Sequence, residues 1–330
     1  MKKVMNKPVD YVDEMLDGLC AAHPRYFSQP EKRVIVRAGG AVPGKVGIVT
    51  GGGSGHLPIF TGYMGPGLLD AAAIGDVFAS PSAEQMASAM RHANGGAGVL
   101  RLYGNYGGDV MNFDMAGEML EMEDIASTTV LLADDVASAP PAEAAKRRGV
   151  AGMVFAFKAA GARAEERGNL EEVTAAAQKT ADACRSIGFA LTPCIVPQAG
   201  KPTFTLADDE MEMGMGIHGE PGIWRDKLKP ADAIADEMLD RLLEDSGVGR
   251  GERVSLLVNS LGATPLEELY IVFRRLSARL SDKGIDIVSP LVGRYATSME
   301  MAGATLTLCR LDGEIERLLN APCDCPFWRN

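Results

Sequence analysis

Four of the six residues in Gly51-Gly52-Gly53-Ser54-Gly55-His56 are glycines, as are four of the nine in Gly214-Met215-Gly216-Ile217-His218-Gly219-Glu220-Pro221-Gly222. Runs this poor in side chains bury little apolar surface and reach backbone angles other residues avoid, so neither is expected to form a packed helix or the interior of a strand. Each reads as a loop presenting one imidazole. The chain has only four histidines, and setting two of them beside bare backbone points to close handling of a small polar ligand. His23 and His92 lie in or beside helical segments without glycine and read as structural or surface residues.

A net charge of -11 argues against a nucleic-acid or anionic-membrane surface, because phosphate binding draws on clustered Lys and Arg. A small molecule or a protein partner fits better. The basic start Met1-Lys2-Lys3 is followed by alternating polar and apolar residues instead of a secretory apolar core, and no run reaches membrane-spanning length. The six scattered cysteines, Cys20, Cys184, Cys194, Cys309, Cys323 and Cys325, are expected to be reduced thiols in cytoplasm. Cys323-Asp324-Cys325 lacks the second ligand pair of a zinc site, and His218-Gly219-Glu220 lacks the P-C-x-x-C of zinc deaminases, so no metal is expected.

With 330 residues and 46% hydrophobic content the chain is long enough for two cored domains. Short β-rich runs at 32–37, 45–50, 99–103, 128–133, 189–196, 254–259, 285–289 and 304–309 alternate with helical patterns at 11–22, 82–94, 110–121, 170–186, 231–244 and 265–283, the sign of an α/β architecture. The long Ala-rich helical pattern ending near 186 predicts an N-terminal α/β domain over 1–187 and a C-terminal one over 188–330. Two nucleotide motifs fail on inspection. Gly39 to Val46 fits G-x-x-x-x-G-K but has Val46 where a Ser or Thr belongs, and it leads into a strand instead of a helix. Gly51, Gly53 and His56 put a histidine where a dinucleotide fingerprint needs its third glycine, which also weakens a nicotinamide oxidoreductase reading.

Five segments in order resemble the K subunit of dihydroxyacetone kinases over essentially the whole chain: Gly51-Gly52-Gly53-Ser54-Gly55-His56, Asn105-Tyr106-Gly107-Gly108-Asp109, Lys201-Pro202-Thr203-Phe204-Thr205-Leu206, Gly216-Ile217-His218-Gly219-Glu220-Pro221-Gly222 and Asn259-Ser260-Leu261-Gly262-Ala263-Thr264-Pro265. The resemblance implies two α/β domains with mixed sheets flanked by helices, a homodimer, and a short ketose as substrate. It also implies that His218 forms a hemiaminal with the ketone carbon, while His56 and Asp109 serve the hydroxyl that receives the phosphoryl group. Substrate contacts are implied for Gly53, Ser54, Gly55, His56, Gly104, Asp109 and His218. This chain is expected to bind no cofactor; Mg-ATP or Mg-ADP would sit on an L-type partner subunit, recharged by ATP or by a phosphotransferase-system phosphocarrier.

The residue types suit that chemistry. A neutral imidazole is nucleophilic near physiological pH, and adding it to a carbonyl selects ketones over polyols. Phosphoryl transfer is mostly positioning, so a second imidazole able to take a hydroxyl proton, oriented by a carboxylate, is a sensible complement. His56 and Asp109 both follow strands, where ligands of open α/β sheets gather. Asp109 is also placed to be the N-cap of a helix from Val110. Leu57 stands where dihydroxyacetone-specific members of the family have Glu, and Gly104 where they have Lys, which predicts a roomier pocket for a four- or five-carbon ketose such as erythrulose or apulose. The rival from another class is a ketose-binding coactivator without kinase activity; keeping His56 and Asp109 alongside His218 favours the enzyme.

Overall fold

The computed structural model describes residues 2–330. Four strands, β3 (Gly47–Ser54), β4 (Ala71–Val77), β5 (Val99–Gly104) and β6 (Ser127–Leu132), run parallel in the order β4-β3-β5-β6. Antiparallel β2 (Val34–Arg37) and β1 (Phe27–Glu31) extend the β4 edge. Such a sheet is covered on both faces. Met86 and Met90 of α2 (Ala83–Ala93) and Phe113 and Leu120 of α3 (Gly107–Glu121) pack with Val49 and Val99 on one face. On the other lie α1 (Tyr11–Ala22), α4 (Gly152–Glu165) and α5 (Leu170–Asp182), packed with Ile48, Leu100 and Val130.

The second sheet is mixed. Antiparallel β7 (Cys184–Thr192), β10 (Arg253–Ser260) and β13 (Ala302–Leu311) form its middle, in the order β10-β13-β7. β8 (Glu210–Met213) and β9 (Trp224–Lys227) continue past β7, while β11 (Asp286–Ile287) and β12 (Leu291–Gly293) pair with β10. Leu239 of α6 (Ala231–Ser246) and Leu276 of α7 (Leu266–Lys283) close one face. The opposite face, through Cys184, Leu257 and Cys309, joins the core that contains α4. α4 is therefore a layer between two sheets, and 12 of its 14 residues are buried. It has no polar face, which is why its alanine-rich sequence carries no amphipathic signal.

Two sequence expectations change. β7 lies wholly in the second sheet, so a division at 187/188 falls inside a strand; moreover α8 (Gly313–Leu319) and the β14 (Asp324–Cys325) and β15 (Trp328–Arg329) hairpin return to the first half, with Ile315, Leu318, Cys323 and Cys325 in the α4 core. The glycine run, expected as a loop, is strand through Ser54: Gly51, Gly52 and Gly53 pair with Ala73, Ile74 and Gly75. The missing side chains are replaced by neighbours. A Cβ on Gly52 would lie 2.5 Å from the Phe60 ring, and one on Gly53 2.6 Å from the Ala79 backbone nitrogen.

Because that second obstacle is backbone, Gly53→Ala is expected to cost roughly 1–3 kcal/mol in urea denaturation. Gly107→Ala, where nothing lies within 4 Å of the added carbon, is expected to shift stability by less than about 0.5 kcal/mol. Equal effects would contradict the packing account.

Candidate active site

The glycine strand ends in a turn at Gly55, whose φ of 105° and lack of room for a Cβ, 2.7 Å from the Phe78 ring, both require glycine. Beyond it the chain is tied to the second half. The Met299 N–H donates to the Gly55 carbonyl at 2.8 Å, and the Thr297 hydroxyl to the Leu57 carbonyl at 3.0 Å. His56 is 1% exposed and sits 2.7 Å, through Nδ1, from the Thr297 carbonyl. A carbonyl only accepts, so Nδ1 carries the proton and Nε2 the lone pair. Nε2 is buried with no protein partner. Burial, reinforced by His218, lowers the His56 pKa to about 3, leaving the ring neutral at physiological pH.

His218 follows β8 on the second glycine loop, where the Ser298 hydroxyl donates to the Ile217 carbonyl. Its Nδ1 lies 2.9 Å from Glu220 Oε1, and its backbone N–H donates to Oε2 at 3.0 Å. Burial would raise the Glu220 carboxyl, but hydrogen bonding and charge from His218, with Arg148 behind, hold it at about 2. An ionised carboxylate takes the Nδ1 proton's hydrogen bond and again leaves Nε2 free. The two imidazole centroids are 4.9 Å apart at 72°. Phe78, at the end of β4, stacks on His56 at 4.9 Å and edges His218 at 5.2 Å, while Tyr106 edges His218 at 4.8 Å. The sequence brought these two histidines forward from opposite halves, and the structure sets their rings side by side, with His56 just beyond the carboxyl end of β3.

Asp109 is buried in the first turn of α3, which begins at Gly107 with Tyr106 as N-cap, so it is not the N-cap itself. It accepts a hydrogen bond from Ser80. Burial raises its pKa to about 6, against the opposing pull of Ser80 and His218. The expectation that a carboxylate orients His56 is therefore corrected: the Thr297 carbonyl does so, and Asp109 answers to Ser80. Gly53 and Ser54 are buried at the end of β3 and Gly104 at the end of β5. Gly104 opens no hole, since a Cβ there would already lie 3.2 Å from the Tyr106 ring and 3.3 Å from the Met153 methyl. Leu57 lines a cavity of about 480 Å³ with Ser54, Gly55, Arg294, Thr297 and Met299, which neither His56 nor His218 lines.

Sequence reading named His56, Asp109 and His218 but missed Glu220, Thr297, Ser80 and Phe78. Glu220 alone left a signal, two residues beyond His218 across a glycine. Among the described residues no group of three or more His, Cys, Asp or Glu side chains is arranged to hold a metal ion, and no helix is long and apolar enough to cross a membrane.

The site is thus a pair of imidazoles, one from each half of a two-sheet α/β fold, set ring to ring. The comparisons point to one family. The Dak1 domain matches residues 17–327, and the chain belongs to that family. It is 45% identical over 331 residues to the dihydroxyacetone-binding subunit DhaK of PTS-dependent dihydroxyacetone kinase 2 from Listeria innocua, covering 100% of this chain and 99% of that one. It is 44% identical to D-erythrulose kinase of Mycolicibacterium smegmatis, covering 100% of this chain and 57% of the relative. Among solved structures, the dihydroxyacetone kinase operon co-activator Dha-DhaQ superposes with a TM-score of 0.87 at 33% identity, over 94% of this chain and 96% of that one.

Asp109 gives a pH test. A carboxyl whose pKa is higher folded than unfolded favours the fold fully below the unfolded value near 3.8, and that contribution is lost as pH rises through about 6. Asp109→Asn is expected to match wild type in stability at pH 4 and to exceed it by roughly 2 kcal/mol at pH 8. Parallel urea curves at the two pH values, offset equally, would mean Asp109 ionises freely.

Proposed function

We propose that this chain is the sugar-binding subunit of a short-chain ketose kinase, acting on dihydroxyacetone or a four- or five-carbon ketose. The ketone is held as a hemiaminal on His218 while a hydroxyl is phosphorylated from a nucleotide on a separate L-type subunit. The observation that carries this reading is the pair of imidazoles 4.9 Å apart, each with its Nδ1–H committed to a fixed acceptor.

The His218 Nε2 lone pair adds to the ketone carbon, forming the C–N bond as the carbonyl π pair moves to oxygen. That oxygen takes a proton, and the ring gives up its Nδ1 proton past Glu220 to solvent, so the adduct is neutral. Glu220 stabilises the positive charge that grows on the ring before that proton leaves. Addition fixes the small sugar by a covalent bond and rejects polyols, which have no such carbon. The orphan Nε2 of His56 accepts the hydrogen bond of a neighbouring hydroxyl and aims its oxygen. Asp109, with a pKa near 6, is the better proton acceptor near neutrality, because the imidazolium of His56 is far too strong an acid to form there. The strand-end backbone of Gly53, Ser54 and Gly55 forms one wall, and Gly104 seats the Tyr106 ring.

Magnesium and ATP or ADP belong on the L-type partner, which supplies the phosphoryl group; the residues of this chain hold and orient the acceptor. A phosphocarrier recharging that partner fits the PTS-dependent relative, and a homodimer and a cytoplasmic setting complete the reading. The erythrulose-kinase relative supports including four-carbon ketoses.

The test combines the purified chain with an L-type subunit, Mg-ATP and a panel of ketoses. His218→Ala is expected to abolish the tetrahedral adduct seen by carbon-13 NMR of a carbonyl-labelled ketose. His56→Ala is expected to keep the adduct while transfer falls about 100-fold or more. The reverse pattern would exchange the two roles, and adduct without phosphorylation of any ketose would make the chain a ketose-binding regulatory coactivator without kinase activity.

A further inference from the structure

Behind the His218–Glu220 pair lies a second ion pair from the other half of the molecule. Asp135, 2% exposed, and Arg148 both lie in the connection between β6 and α4. Arg148 Nε and Nη2 approach Asp135 Oδ2 at 2.9 and 2.7 Å, and Nη2 also donates to the Gly214 carbonyl at 3.2 Å. Arg148 Nη1 stands 3.9 Å from Glu220 Oε2, a charge contact longer than a hydrogen bond. These groups converge over Gly216, where a Cβ would lie 2.1 Å from Glu220 Oε2 and 2.6 Å from Arg148 Nη1. Four alternating groups, Asp135, Arg148, Glu220 and His218, thus run from a fixed buried carboxylate to the ring.

We infer that Arg148, anchored by Asp135, is a positioning residue for His218: its guanidinium fixes the Glu220 carboxylate that holds the imidazole Nδ1–H, and Gly216 is needed because the two charges meet where its side chain would be. The inference rests on His218 being the nucleophile. A carboxylate tied from one side only would swing with its own loop; tied also from the first half, it fixes the ring relative to His56 and Asp109, which that half carries. The titratable and charged groups facing Glu220 are His218 on its own loop, Arg148 and through it Asp135, Tyr106 at the start of α3, and His56. The buried Tyr106 hydroxyl has no protein partner, and burial, with Glu220 adding, keeps it protonated.

Arg148→Met, Arg148→Lys and Gly216→Ala in the full chain test this, with wild-type circular dichroism as the criterion of folding. Without ligand, carbon-13 NMR of the Glu220 carboxyl is expected to show it binding a proton about 10-fold more tightly in Arg148→Met than in wild type, and near wild type in Arg148→Lys. With carbonyl-labelled dihydroxyacetone and erythrulose, adduct affinity at pH 7 is expected to fall about 10-fold in Arg148→Met and Gly216→Ala. The acidic limb of the binding profile should move to higher pH in Arg148→Met, and Arg148→Lys should restore it. An unchanged Glu220 titration in Arg148→Met, or lost affinity with the acidic limb unmoved as a purely structural role would give, overturns the inference while leaving the His218 reading intact. Absence of any tetrahedral carbon in wild type overturns that reading, and the inference with it.

Discussion

The site depends on where two protons sit. Thr297 and Glu220 each fix one Nδ1–H, so both imidazoles offer a bare Nε2, and neither needs a charge to do it. For His56 the fixing group is backbone, which cannot ionise or move independently of its strand connection. For His218 it is a carboxylate kept ionised by its surroundings. Two similar rings 4.9 Å apart are thus given different roles. One is sealed and electrically quiet, suited to aiming an oxygen, while the other is partly open and backed by negative charge, suited to attack on carbon. Each fixing residue was invisible to motif reading for a different reason: Thr297 acts through its carbonyl, which no residue type advertises, and Glu220 looks like part of a false zinc motif.

The fold was legible where surface helices left an amphipathic stripe and where branched residues marked strands. α1 matches its expected span, and α2, α6 and α7 differ by one or two residues at an end. It was illegible where small residues do structural work. β4 reads Ala-Ala-Ala-Ile-Gly-Asp-Val, a sequence with little strand character whose place is set by β2 and β3 on either side. The glycines of β3 carry no side chains to mark a strand; the Phe113 and Phe60 rings fill the space at Gly51 and Gly52, and the Phe78–Ala79 backbone fills it at Gly53. α4 escaped because burial on every side erases periodicity.

Site residues followed the same division. His56, Asp109 and His218 stood out by rarity and by glycine context, so the reacting groups were visible. Their electrostatics were not. The low pKa of His56 and the raised pKa of Asp109 both come chiefly from burial, a property of the assembled crevice. Pairing Asp109 with His56 was reasonable for residue types that often act together, but Ser80 and Thr297 take the two bonds instead. The expected room at Gly104 failed likewise, because an absent side chain leaves a hole only if no neighbour fills it.

The helix shared between the two sheets also bears on how the chain is made. α4 leaves the ribosome with the strands of the first sheet, yet the face it turns toward Cys184, Leu257 and Cys309 has no cover until the strands carrying them are synthesised, and further members of its own core, Leu318 and Cys325, lie still farther along the chain. A nascent first half is therefore greasy on one side and unfinished on the other, a species prone to aggregation.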